Sequence, residues 1–159
     1  MKTKYILAAL ILANAALPVT AHANRGYNPG NCAVYADMAA KTVKADARIT
    51  GSTKTDMIQA LDTYSDHLDG VVEAGMDKTY AESAAWGWDK AKVDQMMVDG
   101  EKAIRAGFHT STMEKDKVYT DHLLALENCA KQSAMAGDLS RDDANTMGGL
   151  LGDVFNMIR

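Results

Sequence analysis

Beyond the first two dozen residues, apolar side chains recur along the chain at three- and four-residue intervals, the spacing of one face of an α-helix. Five helices follow from that pattern. The first opens after Asn28, a capping residue, with Pro29 at the first helical position. Its apolar stripe is Cys32, Ala36, Ala39, Val43 and Ala47, and Gly51 is expected to end it. The second starts at Ser52 or Thr53 and aligns Met57, Leu61, Tyr64, Leu68, Val71 or Val72, and Met76, with Gly70 as a candidate bend.

The third predicted helix begins at a capping box, Thr79 with Glu82 three residues on. Ala81, Ala84, Ala85 and Trp88 lead into Val93, Met97, Gly100, Ile104 and Phe108, and Gly87 is a candidate interruption. The fourth starts at a second capping box, Ser111 with Glu114. Val118, His122, Ala125 and Cys129 line one face, with Leu123 and Leu126 beside it, and Gly137 ends the helix. The fifth is capped by Ser140, with Asp143 in the box position, and repeats Met147, Leu151, Val154 and Ile158; Arg159 suits its negative C-terminal end.

Residues 1–23 break this amphipathic pattern. Lys2 and Lys4 precede a thirteen-residue stretch, Tyr5 to Leu17, interrupted only by Asn14. Pro18 stops the run, and Ala21-His22-Ala23 forms a small-residue site. That order is the pattern of a cleavable signal peptide, with the cut expected between Ala23 and Asn24. As a helix the apolar stretch would rise about 20 Å, short of the ~30 Å hydrocarbon core that an anchor must span. No later segment is apolar enough to cross a membrane, so no stable anchor is expected after cleavage. The expected product is one helical domain, 24–159, in the periplasm or secreted.

Cleavage changes the charge. Lys2 and Lys4 leave, so 17 basic residues become 15 against 21 acidic ones, and the net charge moves from −4 to −6. An acidic chain with no basic run is a poor match to nucleic acid or anionic lipid. Few proline residues and abundant alanine and methionine favour helices over strands.

Export also bears on the cysteines. In an oxidising compartment Cys32 and Cys129 most simply form one disulfide. Two free thiols or an intermolecular bridge are the alternatives. Short connections between helices make neighbours antiparallel. In an up-down order, Cys32 at the start of the first helix and Cys129 late in the fourth lie at the same end. The expected fold is all-α: an up-down four-helix bundle-like core, one disulfide, and an additional C-terminal helix packed outside.

Candidate chemistry is sparse. Asp66-His67 and Asp121-His122 are neighbours in sequence, but adjacent residues on a helix point about 100° apart, so neither pair forms a base with its orienting acid. His122 falls on the apolar stripe, the place of a structural histidine. Met38 and His122 are the conceivable axial pair for haem, yet methionine on a helical stripe is usually core filler, and C-x-x-C-H is absent. The acids of 138–143 lack the glycine and glutamate of an EF-hand loop. No G-x-S-x-G, S-x-x-K or H-E-x-x-H occurs, so no catalytic, metal or cofactor residue is assigned.

The remaining distinctive feature is Trp86-Gly87-Trp88. Residues two apart on a helix face nearly opposite sides: either one tryptophan is outside, or the helix breaks at Gly87 and both pack. Tryptophan is usually well buried. An exposed one is a candidate hot spot for a partner, and Tyr80 is placed to join it. Trp86, Trp88 and Tyr80 are therefore the candidate partner-contact residues.

A cysteine opening an alanine-rich helix (Cys32-Ala-Val-Tyr-Ala-Asp-Met-Ala-Ala) and one closing a late helix (Glu127-Asn-Cys129) resemble small exported two-cysteine helical proteins of gammaproteobacteria and their phages. The likeness covers about two thirds of the chain and implies place and build rather than activity. Periplasmic acid chaperones and immunity proteins against cell-wall toxins share the plan of a helical domain with one disulfide. The expected function is that of an exported, non-enzymatic protein-interaction protein, such as an inhibitor, immunity factor or chaperone, whose partner is another periplasmic or secreted protein. The alternative is a bundle that binds a small ligand or a haem-type cofactor.

Overall fold

The structure, a computed structural model, describes residues 27–110 and 115–158, with side chains described outside 107–122. The expected signal peptide with its cleavage site, the expected Ser111–Glu114 box, Arg159, and the side chains of Phe108, His109, Val118 and His122 lie outside those residues. Among the described residues five helices follow in order: α1 (Pro29–Ala45), α2 (Gly51–Ala84), α3 (Lys90–Thr110), α4 (Lys115–Ala136) and α5 (Arg141–Ile158). Among the described residues there is no strand, and the chain is all-α.

α1 is the central element. It opens as the sequence indicates, with the Asn31 N–H donating to Asn28 Oδ1 at 3.2 Å and Pro29 in the first turn. Cys32, Ala33, Val34, Ala36, Ala39, Ala40 and Val43 are all buried, which is more than one stripe. The reason is that α1 packs on three helices, α2, α4 and α3. Alanine on several faces lets all three backbones approach closely.

Two predicted boundaries move. The first helix ends at Ala45 rather than at Gly51, so Ala47 is exposed and Ile49, in the connection, is buried instead. Asp46 makes this turn: its carboxylate accepts from the Arg48 N–H and guanidinium, and its carbonyl accepts from Lys54. Gly51 belongs to the first turn of α2. The second helix then runs straight through the predicted Thr79–Glu82 start. Thr79 donates its hydroxyl to the Gly75 carbonyl at 3.1 Å within the helix, and Glu82 pairs with Lys78. A Thr and an acid three residues apart read alike at a cap and in mid-helix, and here continuous α2 packing wins.

The real break is at Gly87. Its φ of +74° is the left-handed conformation that favours glycine. The Gly87 N–H donates to the Ala84 carbonyl and the Trp88 N–H to the Ser83 carbonyl, a Schellman closure. Asp89 then caps α3 by accepting from the Lys92 N–H at 2.8 Å. The end of α4 repeats the device: Gly137, at φ +85°, donates to Ala134, and Asp138 donates to Ser133. Ser140 caps α5 as expected, accepting from the Asp143 N–H and donating to its carboxylate.

α2 has 34 residues, about 51 Å of helix, against 17 for α1. Its first half carries most of the packing. Lys54 reaches Asp46 and Ser65 reaches Ala33, so α1 runs antiparallel along residues 51–67. Arg48 donates to the Ile158 carbonyl and His67 bonds the Asp138 carbonyl, so α5 runs antiparallel along the same half. The second half of α2 extends past α1 and turns back through α3. On it, Val72, Met76 and Ser83 are buried, and Val93 and Met97 are buried on α3.

Cys32 and Cys129 form the disulfide, with Cα atoms 5.7 Å apart. On α4 the buried set is Leu123, Leu126, Cys129, Ala130 and Ser133, while Ala125 is half-buried. The expected stripe is thus rotated towards the leucines. α5 contributes Met147, Leu151, Val154 and Ile158 to the same core, packing on α4 and α2.

Candidate functional site

The turn between α2 and α3 carries the three aromatic residues singled out from the sequence. The helix breaks at Gly87, and the two tryptophans part company. Trp86 is 53% exposed, while Trp88 is half-buried and packs against the core. Their ring centroids are 6.1 Å apart with planes tilted by 47°, so they touch as a pair. Tyr80, one turn before the end of α2, donates its hydroxyl to Asp94 on α3 at 2.6 Å. Lys90 lies over the Tyr80 ring and Lys92 over the Trp88 ring, 4.5 and 5.3 Å from the centroids. The structure therefore brings all three residues to one end of the α2–α3 hairpin and leaves only Trp86 largely open.

At the other side of the molecule a chain of hydroxyls crosses the core. Tyr64 on α2 and Ser133 on α4 are buried and 2.6 Å apart, Ser133 donates to the Tyr27 hydroxyl at 3.1 Å, and Tyr27 donates to Asp138 at 2.7 Å. With Ser133 donating onward, the Tyr64 hydroxyl donates to Ser133 and the chain ends on a carboxylate. Burial pushes the Tyr64 phenol up to about 12, with the Asp138 charge adding to it. Burial likewise raises Tyr27, and its hydrogen bond to Asp138 adds to the rise. Both phenols stay protonated as donors.

Beside this chain, α2 and α5 flank a cleft of about 450 Å³. Tyr64 and Met147 are buried at its base, and Ala60, Leu139 and Leu150 are half-buried around them. Asp56, Thr63, His67, Asp143 and Thr146 surround the opening. Nothing in the sequence reading selected this cleft. The available signal was the run Asp56, Ala60, Thr63 and His67, a second helical face lying directly beside the core stripe of α2.

A third polar group lies where α1, α2 and α3 meet. Arg105 bridges Asp37 and Glu101, each at 2.8 Å. Burial opposes ionisation of Asp37, but hydrogen bonds from Lys41 and Arg105 prevail and hold its carboxyl below the usual range. Asp69 differs: burial, then the charges of Asp66, Glu73, Asp37 and Glu101, push it up to about 6. Its Oδ1 is buried with no hydrogen-bond partner among the described residues.

His67 is exposed and bonds the Asp138 carbonyl. Met38 is partly buried against the core. Among the described residues, no group of three or more His, Cys, Asp and Glu side chains is arranged to hold a metal, and no helix is long and apolar enough to cross a membrane.

These features define a class by build: an all-helical domain closed by one disulfide, with an exposed tryptophan at a hairpin turn. No family model, curated protein or solved structure matches the chain.

Proposed function

We propose that this is an exported, non-enzymatic protein-interaction protein that offers the α2–α3 turn to another periplasmic or secreted protein, in the manner of an inhibitor, immunity factor or chaperone. The single observation that carries the reading is Trp86, held 53% exposed beside the half-buried Trp88. A tryptophan is large, amphipathic and stiff, so covering it yields much apolar burial at little entropic cost. The turn that holds it is ordered on both sides, by the Gly87 closure and by the Asp89 cap. A rigid anchor loses little freedom on binding. The disulfide supports export, because such bonds persist in oxidising compartments, as does the signal-peptide pattern of residues 1–23.

The test is affinity capture from extracellular and periplasmic extracts with the wild-type protein, a Trp86→Ala variant and a Met135→Ala variant. Met135 is 79% exposed on α4 and serves as a control surface. One partner retained by wild type and Met135→Ala, and lost from Trp86→Ala, is the expected result. A partner held equally by all three, or none held at all, defeats the reading.

A further inference from the structure

The cleft between α2 and α5 is a second candidate site, independent of the Trp86 turn. Its register along α2 is set by two bonds. His67 meets the Asp138 carbonyl just before α5 begins, and Arg48 meets the Ile158 carbonyl at its end. With two antiparallel helices of equal rise, Asp143 then lies level with Thr63, and Leu150 level with Asp56. Asp56 therefore stands at one end of the cleft. Asp143 and Asp138 stand towards the other, offset along the helix by about 10 and 16 Å. Between them lie the apolar side chains of Ala60 and Met147, with Leu150 beside the Asp56 end.

Three carboxylates and one imidazole face the cleft, with no lysine or arginine among the described lining residues. Asp138 accepts from Tyr27 and Asp143 from Ser140, which leaves each carboxylate with free acceptor capacity. The Asp56 carboxylate is exposed and makes no hydrogen bond or ion pair with a described residue. An apolar floor with anionic ends selects against acids and against compact cations, which would leave the floor uncovered.

We propose that this cleft binds an elongated organic cation: a linear aliphatic chain with an amine at each end, as in the polyamines. One ammonium pairs with Asp56, the methylenes cover Met147 and Leu150, and the other ammonium lies by Asp143 and Asp138.

The test is calorimetric titration of the disulfide-bonded protein at fixed ionic strength with octane-1,8-diamine, octylamine, ethane-1,2-diamine and octanoate. The diamine of full length should bind about tenfold or more tighter than octylamine, with ethane-1,2-diamine weaker still and octanoate not binding. Asp56→Asn, at an exposed position that holds nothing else in place, should bring octane-1,8-diamine down to the affinity of octylamine while circular dichroism and thermal midpoint stay as in wild type. Equal binding of diamine and monoamine, binding of octanoate, an unchanged diamine preference in Asp56→Asn, or no binding at millimolar ligand would each overturn the proposal.

Discussion

The hydroxyls of Tyr64 and Ser133 lie 2.6 Å apart in the buried seam between α2 and α4. Ser133 also gives its carbonyl to the N–H of Asp138, closing α4, so one residue ties the helix end to the core. Ser133→Ala leaves the Tyr64 hydroxyl buried without its partner, at a cost of about 1–3 kcal/mol. Tyr64→Phe removes the need together with the bond. Urea unfolding should therefore find the double variant less destabilised than the two single losses combined; strict additivity would mean that the bond is not made.

The Cys32–Cys129 bond closes a loop spanning 97 positions of sequence. Chain-entropy reasoning gives such a bond about 4–5 kcal/mol as an upper estimate. Cys32→Ala/Cys129→Ala should lower the thermal midpoint strongly, and reductant should do the same to wild type. Titration of unfolded, unreduced protein should find no free thiol; two thiols would exclude the bond.

Asp69 makes stability depend on pH in the unusual direction for an acid. The folded state holds its proton more tightly than the unfolded state, with a midpoint of about 6 against an ordinary value of 3.8. Its contribution is complete below about pH 4 and is lost as pH rises through 6. Asp69→Asn should stabilise the protein at pH 7 by about 1 kcal/mol, after discounting for the solvent that reaches this half-buried group. Near pH 4 the variant should gain nothing. Asp37 runs the other way: its pairing with Lys41 and Arg105 is lost as pH falls below the usual carboxylate range. Denaturation midpoints of wild type and variant across pH 3–8 measure both effects, and a constant gap between the two curves would contradict the assignment to Asp69.

The two tryptophans should separate in stability as they do in exposure. Trp88→Ala removes a ring packed on the core, with a loss of up to about 3 kcal/mol at this half-buried site. Trp86→Ala should change stability by less than about 0.5 kcal/mol. Acrylamide should quench the fluorescence remaining in Trp88→Ala, which reports Trp86, more strongly than that remaining in Trp86→Ala. The reverse order would place the wrong ring outside.

The helices were legible where one face is dry and the other wet. Met147, Leu151, Val154 and Ile158 on α5, and Met57 to Met76 on α2, are buried as their spacing requires. The pairing of Cys32 with Cys129 followed from compartment and helix order. Local signals with two meanings failed. Thr79 and Glu82 look like a cap but sit inside α2, and Gly51 looks like a stop but opens the next helix. A better signal stands twice in the sequence, in Ser83-Ala-Ala-Trp-Gly87 and Ser133-Ala-Met-Ala-Gly137, each a buried serine followed four residues later by a left-handed glycine. The aromatic turn was legible as composition, but which tryptophan faces water depended on the break at Gly87. The α2–α5 cleft was not legible, because it needs the register between two helices separated by about a third of the chain.

Site-specific photo-crosslinking in cells that express the full sequence tests the central claim most directly. A photoreactive amino acid at position 86 should yield one discrete crosslinked protein of the same compartment, with the same reagent at position 135 yielding none. Identical adducts from both positions, or no adduct from position 86, would contradict the account of Trp86 as the anchor for a protein partner.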